Sequence, residues 1–237
     1  MKPIPIDDYK RFKREVGALK KSCYLEFFAE NPEVFQIKKE KTISKNLERI
    51  FSAALKISNK KGFHAMTMRD LSKGARLSTG ALYNYFSGKE ELLEMMQRHR
   101  RTIASRVLKS NIALPKEPLI KLRAAIKTHL YLSEAMQPWF FFSYMEAKNI
   151  GPKERRAAVQ GELNTEKLFT DIILMGRDQN IFLTDNPQMT ASLIKAMLQD
   201  WYLKRAKYAR RNVEVDVYAR FMTAFIEGSL VNPESAT

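Results

Sequence analysis

The stretch TMRDLSKGARLSTGALYNYFSGKEEL, residues 67–92, decides the fold. Thr67-Met-Arg-Asp70 places a hydroxyl at a helix N-cap and a carboxylate three residues on, and Ser87-Gly-Lys-Glu90 repeats that capping box. Ser78, between them, has the side chain of a third cap. The caps predict three closely spaced helix starts. The first two helices are only about seven residues long, too short to be stable alone, so local caps fix where each begins and packing holds it. Leu71, Leu82 and Phe86 have the spacing to pack this segment against the helix before it. That is the grammar of a helix-turn-helix.

On the N-terminal side, Ile43, Leu47, Ile50, Phe51, Ala54 and Ser58 draw the stripe of a helix that Gly62 ends, where a left-handed residue is wanted. Further upstream, Tyr9, Phe12, Val16, Leu19, Cys23 and Phe27 recur every three or four positions and predict an amphipathic helix over about 7–30. Asn31-Pro32 stops it, and Pro32 to Lys41 reads as a polar linker. On the C-terminal side a long helix runs from Glu90 to about Asn111. Pro118, Pro138, Pro152 and Pro187 then mark helix starts, because a first helical turn accepts proline. Helices over about 187–211 and 213–230 close the chain, with no alternating strand pattern. The fold class is all-α: an extension and linker over 1–41, a small three-helix domain over 42–92, and a larger helical domain over 93–237.

Charge locates the working end. Of the net +15, residues 43–110 contribute 14 Lys/Arg against 5 Asp/Glu, a balance of +9, while 1–42 and 111–237 contribute +3 each. That concentration suits a small domain facing a polyanion. Other classes find little support. His64, His99 and His129 are scattered, and there is no histidine pair at metal spacing, nucleophile elbow or phosphate-cradling glycine loop, so no catalytic residue, metal site or cofactor is expected. Cys23 stands alone, which excludes an internal disulfide and a zinc site of clustered cysteines. The apolar run from Trp139 to Met145 is too short to span a bilayer and the N-terminus lacks a signal-type apolar core, so the expectation is a cytoplasmic protein with no membrane contact.

Residues 67–92, together with the preceding helix from Ile43, closely resemble the DNA-binding signature of the tetracycline-repressor (TetR) family. Ser78-Thr-Gly80-Ala-Leu82-Tyr83-Asn-Tyr85-Phe86 followed by Lys89-Glu90 carries the resemblance. It implies a sequence-specific transcriptional regulator, not an enzyme: a ligand-released repressor that binds a near-palindromic operator in double-stranded DNA as a homodimer. Thr79, Ala81 and Asn84 are the expected base readers, since threonine and alanine methyls can meet a thymine methyl and asparagine can pair with adenine. Gly80 lets the backbone approach the DNA. Thr67, Met68, Arg69, Ser78, Tyr83, Tyr85 and Lys89 complete the expected interface, with hydroxyls, a guanidinium and an ammonium suited to phosphates. Tyr83 and Tyr85 also fit a second reading as half-buried packing residues. Arg76 departs from the family, which usually has glycine in this turn because the position tends to need a left-handed backbone.

For the larger domain the resemblance implies a four-helix dimer interface made by the last two helices, centred on Met197, Trp201, Phe221 and Phe225. The same residues also suit the subunit's own core. It further implies an effector pocket, for which Trp139, Phe140, Phe142, Tyr144, Met145, Phe169, Ile173 and Met175 are the candidate lining, favouring a small apolar, aromatic or acyl-type effector. The alternative is a DNA-associated architectural or partner-binding protein that uses the scaffold without an effector; the N-terminal helix, which the family core does not require, makes it worth carrying.

Overall fold

The computed structural model describes residues 1–29 and 40–236. Eleven α-helices are present among them: α1 (Tyr9–Ala29), α2 (Glu40–Lys61), α3 (Met68–Ala75), α4 (Thr79–Tyr83), α5 (Lys89–Ala113), α6 (Pro118–Ala135), α7 (Gln137–Met145), α8 (Pro152–Asp178), α9 (Pro187–Leu203), α10 (Arg205–Arg210) and α11 (Val215–Leu230). No strand occurs among the described residues. Of the expected linker, residues 32–39 lie outside them, as does the Phe27 side chain.

The helices form two compact units that interleave along the sequence. One comprises residues 16–103 and 138–158; the other comprises 1–15, 104–137 and 159–237. These units follow contacts and not the boundary expected near residue 93: α7 from residue 138 on falls with the first unit. The reason is visible in its contacts: Phe142 meets Phe63 edge-on, Trp139 meets Phe51, and Asn59 Nδ2 donates to the Pro138 carbonyl at 3.2 Å.

In the first unit α2 presents Ile43, Leu47, Ile50, Phe51 and Ala54 to the core, all buried, and α3 packs on it. A Cβ on Gly74 of α3 would stand 3.1 Å from the Ala53 Cβ, so the two helices approach closely. Gly62 follows α2 with φ +84°, the left-handed position expected of it. Cys23 and Tyr24 bring α1 into this core; Tyr24 lies flat on His99, ring centroids 4.4 Å apart.

The second unit is built around α6, most of whose residues from Leu122 to Ser133 are buried, while Arg123 and Lys127, one turn apart, keep a polar strip at the surface. α9 and α11 pack against it. The chain start is tied to the same unit: Ile4 N–H donates to Asn111 Oδ1 and Asn111 Nδ2 donates to the Ile4 carbonyl, both at 2.8 Å. Tyr9 and Phe12 then meet Tyr131 edge-on. The single helix expected over 187–211 is two, parted at Lys204; next to the break Arg205 forms a two-point pair with Glu134 and lies 4.6 Å over the Trp201 ring. A latch closes the end of α11: Ile181 and Phe182 N–H donate to the Gly176 carbonyl, Leu183 N–H to Leu230 and Asn232 N–H to Ile181. The Phe182 ring fills the space where a Cβ on Gly176 would stand, 2.0 Å from its nearest atom.

Candidate nucleic-acid interface

The Thr67 box forms in full. Thr67 Oγ1 accepts from Asp70 N–H at 3.1 Å, while Thr67 N–H and O–H both donate to Asp70 Oδ2 at 2.9 and 2.8 Å. Lys61 Nζ adds a third bond to that carboxylate at 2.8 Å. The Lys61 ammonium first, then the backbone and hydroxyl of Thr67, hold the Asp70 carboxyl well below the usual carboxylate range. Thr67 is exposed, and both of its donors reach Asp70, so its hydroxyl acts as the α3 cap in this structure. Met68 is half-buried and Arg69 exposed.

Ser78 caps α4 as expected, its Oγ accepting from Ala81 N–H at 3.1 Å. The third start is corrected. α5 begins at Lys89, one residue later than Ser87-Gly-Lys-Glu90 implied, so Glu91 and not Glu90 is placed to reach back; its Oε2 accepts from both Ser87 N–H and O–H at 2.7 Å.

Thr79, Gly80, Tyr83 and Asn84 form an exposed strip on and just beyond α4, with Ala81 half-buried beside them. The opposite face is core: Leu71, Leu82 and Phe86 are all buried. No protein atom lies within 4 Å of where a Gly80 Cβ would be, so nothing in the protein's own packing requires glycine there. Lys89 Nζ donates to the His64 carbonyl at 2.8 Å, which leaves two of its three N–H groups for another acceptor.

Tyr85 is not in the strip. It is 1% exposed, and its hydroxyl accepts from Asn46 Nδ2 at 2.8 Å, so the packing reading holds for it and the phosphate reading does not. Tyr83, 53% exposed, points to solvent. Arg76 has φ 54° and ψ 47°, the left-handed conformation the family turn requires, here without glycine. Its carbonyl accepts from Arg49 Nη2 at 2.5 Å. Asn46 and Arg49 were missed by the sequence reading; their signal was a pair of polar residues three apart, interleaved with the apolar stripe of α2.

The remaining expected residues separate. Trp201 is fully buried within its own unit, its indole N–H donating to Glu134 Oε2 at 3.1 Å, so it is core and not interface. Met197 is half-buried. Phe221 and Phe225 stand 71% and 59% exposed, with Met189, Leu193 and Val217 also exposed on α9 and α11. The eight side chains expected around an effector fall in both units. Trp139, Phe140, Phe142, Phe169 and Ile173 are buried, whereas Tyr144, Met145 and Met175 are exposed. None of them lines the cleft of about 630 Å³ bounded by Asp7, Tyr9, Arg123, Lys127, Asp216 and Arg220.

Residues 50–96 match the family model for bacterial regulatory proteins of the tetR family, and 115–214 match one for a tetracyclin repressor-like C-terminal domain. The HTH-type transcriptional regulator HbdR of Aromatoleum sp. (strain CIB) is 20% identical over 171 residues, covering 72% of this chain and 75% of HbdR. The structure of the ketosteroid transcriptional regulator KstR2 of Mycobacterium tuberculosis superposes with a TM-score of 0.70 at 16% identity, over 83% of this chain and 97% of that one. That of AibR in complex with isovaleryl coenzyme A and operator DNA gives 0.67 at 15% identity, over 76% and 97%.

Proposed function

We propose that this chain, which belongs to the TetR family of bacterial transcriptional regulators, reads a near-palindromic operator as a homodimer and is released from it by a small effector. The observation that carries the reading is the exposed strip of Thr79, Gly80, Tyr83 and Asn84 on a capped, otherwise buried scaffold. Thr79, Ala81 and Asn84 are the proposed base readers. Arg69, Tyr83 and the two remaining donors of Lys89 are the proposed phosphate contacts. Thr67 and Ser78 serve as caps, and Tyr85 serves the core.

The exposed face of Met189, Leu193, Val217, Phe221 and Phe225 supports a dimer through α9 and α11, because aromatic and methionine side chains dominate the centres of such interfaces. The effector is proposed to be apolar, aromatic or acyl-type; AibR, of the same fold, holds isovaleryl coenzyme A. A coupling of about 1–3 kcal/mol suffices to release the operator.

Selection of bound sites from random DNA, with and without acyl-type and aromatic ligands, tests the reading. With about six to ten phosphate contacts per dimer, affinity for the selected site is expected to drop by about three to five decades between roughly 50 and 200 mM salt. Tyr83→Ala and Lys89→Ala weaken binding to every sequence, while Asn84→Ala changes the preference at one position. A flat salt response, or identical effects of all three substitutions, contradicts the assignment. A set of ligands that leaves the selected complex intact argues against an effector of these classes.

A further inference from the structure

Asn46 and Arg49 touch the two ends of the recognition segment. They lie three apart and so share a face of α2. Arg49 Nη2 donates to the Arg76 carbonyl at 2.5 Å and Arg49 Nη1 to Asn46 Oδ1 at 3.4 Å, while Asn46 Nδ2 donates to the Tyr85 hydroxyl at 2.8 Å. Arg76 stands two residues before the Ser78-capped start of α4, and Tyr85 two residues beyond its last residue. The chain from 76 to 85 is thus closed into a frame by two side chains of another helix.

We propose that Asn46 and Arg49 are positioning residues that set the angle of α4 and hence the discrimination between operator sequences, and that Arg49 is not a phosphate ligand. The proposal rests on the reading of Thr79, Ala81 and Asn84 as the base-reading residues. A five-residue helix has no orientation of its own. Burial of Leu82 and Phe86 fixes its depth, but apolar contact is non-directional and tolerates rotation about the contact. Hydrogen bonds weaken steeply with angle, so they fix the rotation. The bond to Arg76 is also the stronger kind, a charged donor on a carbonyl, and it falls on the left-handed residue whose Cβ disfavours the turn. By charge alone Arg49 counts toward the polyanion-facing excess of residues 43–110. Each of its two terminal nitrogens instead donates one hydrogen bond to a protein acceptor that fixes the orientation of the guanidinium.

The test uses the full chain and its selected operator, with single-base variants of that operator as competitors. Arg49→Met removes the guanidinium, Arg49→Lys keeps the charge without the two-point bridge, and Tyr85→Phe removes only the hydroxyl that Asn46 holds. Arg49→Met and Arg49→Lys are each expected to lower the ratio of operator to variant affinity about tenfold, the size of a mismatched base pair. Tyr85→Phe is expected to lower it about threefold. In all three the slope of log affinity against log salt stays at the wild-type value, because no phosphate contact is lost. A slope reduced by about one for each site in Arg49→Met and restored in Arg49→Lys, with discrimination unchanged, overturns the proposal in favour of a phosphate ligand. So does unchanged discrimination in all three variants while Asn84→Ala still alters the preferred base. A wild-type chain with no sequence preference, or an Asn84→Ala variant with unaltered preference, removes the underlying site reading instead and the frame with it. Tyr85→Phe preserves the buried ring, so the measurement survives if either Arg49 variant fails to fold.

Discussion

The α3–α4 segment and the α9–α11 pair are both assemblies of helices with apolar stripes, yet they answer to different physics. In α3 and α4 the decisive contacts span three residues: Thr67 with Asp70, and Ser78 with Ala81. In α9 and α11 they span tens of residues, as when the Trp201 indole meets Glu134 and Tyr218 donates to the Met197 carbonyl. A cap states its partner in the sequence. A stripe states only that a partner exists, and leaves open whether it is the same subunit or another.

The largest test of that contrast lies within the stripe. Trp201→Ala is expected to cost about 3–5 kcal/mol of unfolding free energy, the usual range for deleting a buried large aromatic. Phe221→Ala and Phe225→Ala are expected to change the stability of the isolated subunit by less than about 0.5 kcal/mol, as at other exposed positions, while shifting sedimentation toward monomer. Equal destabilisation by Trp201→Ala and Phe221→Ala in urea titrations would erase the distinction between inward and outward side chains.

An intermediate effect comes from His99, a long-range contact in the same unit as the caps. Burial, and secondarily the Lys20 ammonium, lower its pKa to about 3, and its Nε2 is buried without a hydrogen-bond partner. The unfolded chain, with an ordinary histidine, takes up a proton that the folded state refuses between about pH 6.5 and 3. Stability is therefore expected to decline as pH falls through that window, by on the order of 5 kcal/mol across all of it and about 3 kcal/mol between pH 7 and pH 4, since each unit is worth about 1.4 kcal/mol. Urea titrations at pH 7 and pH 4 check this. His99→Gln should remove that share of the pH dependence, and an unchanged dependence would mean that His99 is not held neutral.

The smallest effects belong to the caps. Ser78→Ala is expected to cost about 1 kcal/mol and Ser78→Gly only a few tenths, because glycine leaves the start open to water. Equal stability of Ser78→Ala and wild type in thermal unfolding would mean that tertiary packing alone sets the start of α4.

What was legible in the sequence follows the same division. Proline at the first turns of α6, α8 and α9, the left-handed Gly62 and the first two caps could be read because each acts within a few residues. The Ser87 box was misread by one position, since both Glu90 and Glu91 are carboxylates and only the true start of α5 selects between them. Tyr85 and Tyr83 could not be assigned, because two tyrosines two apart must diverge and only Asn46, 39 residues away, shows which turns inward. The break at Lys204 follows the same rule: it lies beside the long-range capture of Arg205 by Glu134. The effector lining was least legible, as aromatic residues fill cores and cavities alike.

The contact of Phe182 with Gly176 gives this chain a point of inheritance in a different compact unit from the exposed α4 strip. Every single-base change in a glycine codon that still encodes an amino acid other than glycine adds a Cβ, and the ring of Phe182 already occupies that place. The ring would have to leave, and with it the backbone bonds that tie 181–183 to Leu230 and Asn232 at the end of α11. A regulator lost in this way would keep every proposed base-reading residue intact. A survey of inactivated alleles confined to the recognition segment would pass it by.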